Sequence, residues 1–149
     1  MRAERGAVTH LLDTSAVMAH FLAEPGGERV TELLARGPGS VALAAPGWPE
    51  LERRLDELIP EPAEAARIFR HYTETLCAMV PLDEAAARAA IRVRHSCPNR
   101  LPLVDALIAG CAMAAGSTLV HRDSHLDAIP TAVLAVLRLP DKLRPRRRT

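Results

Sequence analysis

The chain has 149 residues, 48% hydrophobic and 25% charged, with a formal net charge of +1 at pH 7. That length suits one domain burying roughly 70% of its unfolded surface, and the composition excludes a disordered chain, a collagen-like repeat and a disulfide scaffold. Aromatic residues at 3% exclude a module that stacks bases on aromatic platforms, and the near-neutral charge gives no overall DNA-binding footprint.

In chain order, the apolar run at residues 7–12 predicts a short buried strand ending at Asp13. Residues 14–23 carry Val17, Phe21 and Leu22 at helical spacing, and Pro25-Gly26-Gly27 punctuates them. A second helix is predicted over 28–36, a turn at Gly37-Pro38-Gly39 and a strand over 40–44. Residues 46–58 place Trp48, Leu51, Leu55 and Leu58 on one helical face, and Pro60 and Pro62 break the run. A long amphipathic helix is predicted over 63–76, a brief strand over 79–82, and a helix capped by Asp83 that continues to about residue 95. After a loop at 96–100, Pro102 opens a helix that runs to Ala115 and stops at Gly116. Strands are predicted at 118–121 and 132–136. Residues 141–149 hold Lys142, Arg144, Arg146, Arg147 and Arg148 against Asp141, a basic tail on a body predicted to end near residue 140.

Strands alternating with helices predict an α/β fold around a mainly parallel sheet. Cys77, Cys97 and Cys111 are odd in number and form no CxxC pair, which suits reduced thiols in a cytoplasmic protein. The N-terminal apolar run is broken by His10 and Asp13, a poor signal peptide, and no apolar stretch reaches 18 residues without a charge, so no membrane span is predicted.

In open parallel sheets, ligands gather at the carboxyl ends of the strands. Asp13 ends the first strand and Asp123 follows the strand at 118–121, so both belong at that edge. Asp105 is the only charged residue from 101 to 120, within the apolar helix LVDALIAGCAMAAG. A lone carboxylate there suffers desolvation unless a cation or hydrogen-bond donor meets it. Structural roles stand beside each reading. Asp13 can cap the following helix, Asp105 lies in a first turn where the helix dipole favours an anion, and Asp123 can be a turn residue. Glu50 can pair with Arg54 on a solvated face. Converging carboxylates without a cysteine ligand favour Mg2+ or Mn2+ over Zn2+ and suit metal-assisted phosphodiester hydrolysis.

LLDTSAV, then PELERRL, then LPLVDALIAGCAMAAGSTLVHRDSHL, in this order and at these spacings, resembles the PIN-domain ribonucleases, in particular the VapC toxins of type II toxin–antitoxin pairs. The resemblance covers about residues 7–140. It implies a three-layer α/β/α fold with a central sheet of four to five short strands. It also implies a site in which Asp13, Glu50, Asp105 and Asp123 are the catalytic acids, with Asp13, Asp105 and Asp123 as ligands of Mg2+ (or Mn2+) and Ser15 in support. The sequence departs from the family pattern at Gly47, where relatives often carry asparagine, so Glu52 or Glu57 is an alternative to Glu50. It departs again at His125, where relatives often carry aspartate, and Asp127 is the nearby substitute.

The implied activity is hydrolysis of RNA to 5′-phosphate and 3′-hydroxyl ends. The implied partners are the RNA substrate, a cognate small antitoxin and a second copy in a homodimer, with residues 14–36 the candidate antitoxin surface. Arg100, Arg122 and the basic tail are candidates for phosphate contacts. The rival reading is a PIN fold that binds RNA or protein without cutting. A zinc site would use His121 and His125 at H-x-x-x-H spacing. Haloacid-dehalogenase-like phosphatases need an aspartate where Ser15 stands, a receiver domain needs an active-site lysine, and no P-loop motif occurs.

Overall fold

The computed structural model describes residues 7–143. Five strands form one parallel sheet: β1 (His10–Leu12), β2 (Val41–Ala44), β3 (Ala78–Val80), β4 (Thr118–His121) and β5 (Val136–Arg138). Their spatial order is β3-β2-β1-β4-β5. The chain builds outward from β1 to β3 and then returns to lay β4 on the other side of β1. The carboxyl ends of β1 and β4 are therefore a topological switch point, where a crevice opens in such sheets.

Period-two alternation divides the strands between two cores. Leu11, Ala42, Ala44 and Leu119 face one, and Leu12, Val41, Leu43 and Val120 face the other. The first core is closed by α5 (Glu84–Ser96) and α6 (Leu103–Ala114). The second is closed by α1 (Thr14–Phe21), α2 (Gly27–Leu34) and α3 (Trp48–Leu58), with α4 (Pro62–Arg70) packed on α3. This is the three-layer α/β/α arrangement. No helix among the described residues is long and apolar enough to cross a membrane.

Local chemistry sets most boundaries. Asp83 accepts the Ala86 amide at 2.9 Å and caps α5. Gly116 takes φ +63° just past α6, a left-handed stop favourable to glycine. Two predicted elements differ. The helix expected over 63–76 ends as α-helix at Arg70 and continues as a π-turn over His71–Leu76. The wider turn buries Tyr72, whose hydroxyl lies 2.6 Å from His20 Nδ1, and lets the Cys77 amide reach the Tyr72 carbonyl. The last strand is not at 132–136. The Val133 and Leu134 amides both donate to the Pro130 carbonyl, which folds that stretch into a turn and moves pairing on to Val136–Arg138. Residues 144–149, most of the basic tail, lie outside the described residues.

Candidate active site

Asp13 follows β1 directly and is held twice. Its backbone amide donates to the Val120 carbonyl at 2.9 Å, extending the β1–β4 ladder by one residue. Its Oδ2 accepts the Ser15 amide at 3.2 Å and the Ser15 hydroxyl at 2.6 Å, capping α1. Capping and site membership are thus compatible in one carboxylate. Ser15 Oγ in turn accepts the Arg122 amide at 3.0 Å, tying the loop after β1 to the loop after β4.

Glu50 lies in the first turn of α3 and, with Asp13 and Asp123, lines an open cleft of about 400 Å³. The expected Glu50–Arg54 pair does not form, because Arg53 and Arg54 turn to Glu57 at 3.1 and 4.0 Å. Glu52 faces Asp56 instead of the cleft, so helix phase leaves Glu50 as the acid directed to the site.

Asp105, in the first turn of α6, is buried and takes no hydrogen bond among the described residues. The basic group nearest in reach is His125 Nδ1, 4.0 Å from Asp105 Oδ2. Asp123 caps a short 3-10 turn over Ser124–Ala128, its Oδ1 accepting the His125 amide at 2.9 Å.

The charges of these acids act on one another. Burial first, and then the carboxylates of Asp123, Asp13 and Glu50, push the Asp105 carboxyl up to about 7, against a small opposite effect of His125. Burial also raises Asp13, as do Glu50 and Asp123, while the hydrogen bonds from Ser15 lower it. Acids that raise one another's pKa are a functional-site signature. One donor atom each of Asp105, Asp123 and His125 lies within 4.8 Å of the others, a spacing that suits a divalent cation able to remove the repulsion, while Asp13 and Glu50 stand outside that group.

Other expected residues go elsewhere. Asp127 turns to Arg138, at 3.2 Å, and does not join the acids. His121 is fully buried, with Nδ1 accepting the Asp123 amide at 3.0 Å, so it does not share a site with His125. Arg100 is exposed ahead of α6, away from the cleft lining. Arg122 lines the cleft, but its side chain is 6% exposed and bonded to Glu24 at 2.8 Å. Lys142 Nζ lies 3.8 Å from the same Glu24. Arg122 is therefore a clamp between β4 and the end of α1, and not a free phosphate contact. Glu24→Ala is expected to lower stability by about 3 kcal/mol, because it leaves a buried guanidinium without its counter-ion. Adding Arg122→Met should restore part of that loss, read by urea unfolding.

Reading the sequence alone missed Arg53 and Arg54 on the cleft wall. Their spacing of three and four from Glu50 puts them on its helix face, and that was the available signal. It also left His125 beside the site, where the structure brings its ring 3.1 Å from Asp123 Oδ1.

A family profile described as PIN domain matches residues 10–132. No curated protein matches the chain. Among solved structures, VapBC2 from Rickettsia felis, bound to a DNA fragment from its promoter, is 18% identical with a TM-score of 0.71. The match covers 89% of this chain and 99% of that one. DNA-bound VapBC from Salmonella typhimurium is 15% identical with a TM-score of 0.72, over 88% and 98% of the two chains. FitAcB from Neisseria gonorrhoeae is 24% identical with a TM-score of 0.66, over 87% and 97%. At these identities the likeness is one of fold.

Proposed function

The chain belongs to the PIN-domain family, and from that premise we propose that it is a divalent-cation-dependent endoribonuclease, the toxin of a VapC-type toxin–antitoxin pair. One observation carries the reading. Asp13, Glu50 and Asp123, from three separate elements, line one cleft at the switch point, and their charges together with burial raise the pKa of Asp105 on a fourth element. A protein that only bound a polyanion would gain nothing from that arrangement.

In this reading Asp13, Asp105 and Asp123 hold Mg2+ or Mn2+, and Glu50 completes the acid set from the open side. A divalent cation held there would supply Lewis-acid polarisation of a phosphate and would make water a better nucleophile. Ser15 fixes Asp13 by holding Oδ2 from two directions, so that carboxylate meets its partner already oriented. Arg53 and Arg54, on the same wall, draw the RNA backbone toward acids that would otherwise repel it. The basic residues of 141–149 add attraction at longer range.

The solved neighbours include VapBC-5 of Mycobacterium tuberculosis, described as a toxin–antitoxin system. That supports a small antitoxin as partner here; in this reading the chain acts in the cytoplasm as a homodimer, and α1 and α2 offer the antitoxin its surface. The test is cleavage of total RNA by the purified chain. Cutting should require Mg2+ or Mn2+, stop with EDTA and return when the cation is restored, leaving 5′-phosphate ends. Cutting that survives complete chelation, or no cutting with either cation, overturns the proposal and in the second case leaves the binding module.

A further inference from the structure

The cluster at the carboxyl edge contains one donor that is not an oxygen. His125 Nδ1 lies 3.1 Å from Asp123 Oδ1 and 4.0 Å from Asp105 Oδ2. One donor atom from each of the three residues falls within a 4.8 Å span. We propose that His125 Nδ1 is a ligand of the cation held by Asp105 and Asp123, and that this nitrogen makes the site select Mn2+ over Mg2+. The inference rests on the metal-dependent reading above and adds the identity of the cation to it.

Three features support the assignment. The first is spacing: two donors about 2.1 Å from one cation and at right angles to each other stand about 3 Å apart, the separation found between His125 and Asp123. The second is origin. Asp123 and His125 share a capped turn, which by itself would be local geometry, but Asp105 comes from α6, 18 residues earlier in the chain. The imidazole is directed at a buried carboxylate of another element that has no hydrogen bond of its own. The third is accessibility. The His125 side chain is 63% exposed, so the ring can adjust by a few tenths of an ångström without disturbing the core.

The donor chemistry then decides the ion. Mg2+ is held best by oxygen, and it retains waters in preference to taking an imidazole. First-row transition ions accept imidazole readily, and Mn2+ also keeps the affinity for carboxylate that the remaining ligands demand. His121 does not compete for this role. It is fully buried, and its Nδ1 is already engaged by the Asp123 amide.

The test uses the full chain loaded with Mn2+ at pH 8 and examined by electron spin-echo envelope modulation, which registers a nitrogen bonded to the ion. Wild type should show 14N coupling. His125→Asp should retain bound Mn2+ without that coupling, and the preference for Mn2+ over Mg2+ in competition binding should fall about ten-fold or more. Because a further acid can disturb folding, His125→Ala serves as the second variant, with the same loss of coupling expected. Mn2+ bound by wild type without nitrogen coupling means that His125 only forms an ion pair with Asp123. That result overturns this inference and leaves the metal-dependent reading standing, as does coupling that persists in both variants. Failure of wild type to bind either ion overturns both.

Discussion

Asp105→Asn is expected to reduce RNA cleavage by about 10²-fold or more and, in the same protein, to raise stability without cation. The two effects have one origin. The Asp105 carboxyl stands at about 7 in the folded chain, against about 3.9 when unfolded. Between those values the folded state holds a proton that the unfolded state has released, so stability declines as pH rises from about 4 to about 7 and stays reduced above that. Asparagine keeps the shape and removes the titration. At pH 8 in EDTA the variant should gain on the order of 2 kcal/mol, or roughly 4–8 °C in Tm for a chain of this size. At pH 4 the gain should vanish. Added Mn2+ should raise the Tm of wild type and barely move the variant. If Asp105 served only the helix dipole, asparagine would instead lower stability by about 0.3–1 kcal/mol and leave cleavage intact. Thermal scans at the two pH values and a cleavage assay separate the cases.

Gly110→Ala should lower stability by about 3 kcal/mol in urea unfolding. A Cβ at Gly110 would stand 2.5 Å from the Ala86 carbonyl oxygen and 2.6 Å from the Ala90 nitrogen. Both are backbone atoms of α5, so no side chain can turn aside and the helices must part. Alanine ordinarily improves a helix by about 1 kcal/mol over glycine, and here that gain is outweighed. Because α6 also carries Asp105, cation affinity should fall with stability. Gly47→Ala is the control. Its Cβ would meet Ile108 Cδ1 at 3.5 Å, ordinary contact, and its unfolding midpoint should stay near wild type.

What the sequence disclosed follows from the physics of each residue. Asp105 was legible because a lone charge in an apolar helix has few uses, and Asp13 and Asp123 because they follow short apolar strands. Glu50 was ambiguous among Glu52 and Glu57 until the phase of α3 was known. Arg122 was misread because its partner, Glu24, lies 98 residues away, and no local pattern marks such a pair. The turn over Ala132 and Val133 escaped because its apolar residues fit a strand equally well, and the amides that bend it serve a proline carbonyl. The π-turn at His71–Leu76 has no composition of its own and follows from burying Tyr72.

The amide of Asp13 bonds to Val120 in the middle of the sheet, and that of Arg122 bonds to Ser15. Such amides exchange with deuterium only through large openings, as loop amides generally do not. The Asp13 carboxylate therefore stands on backbone that opens only when β1 parts from β4, unlike a carboxylate carried on a free loop.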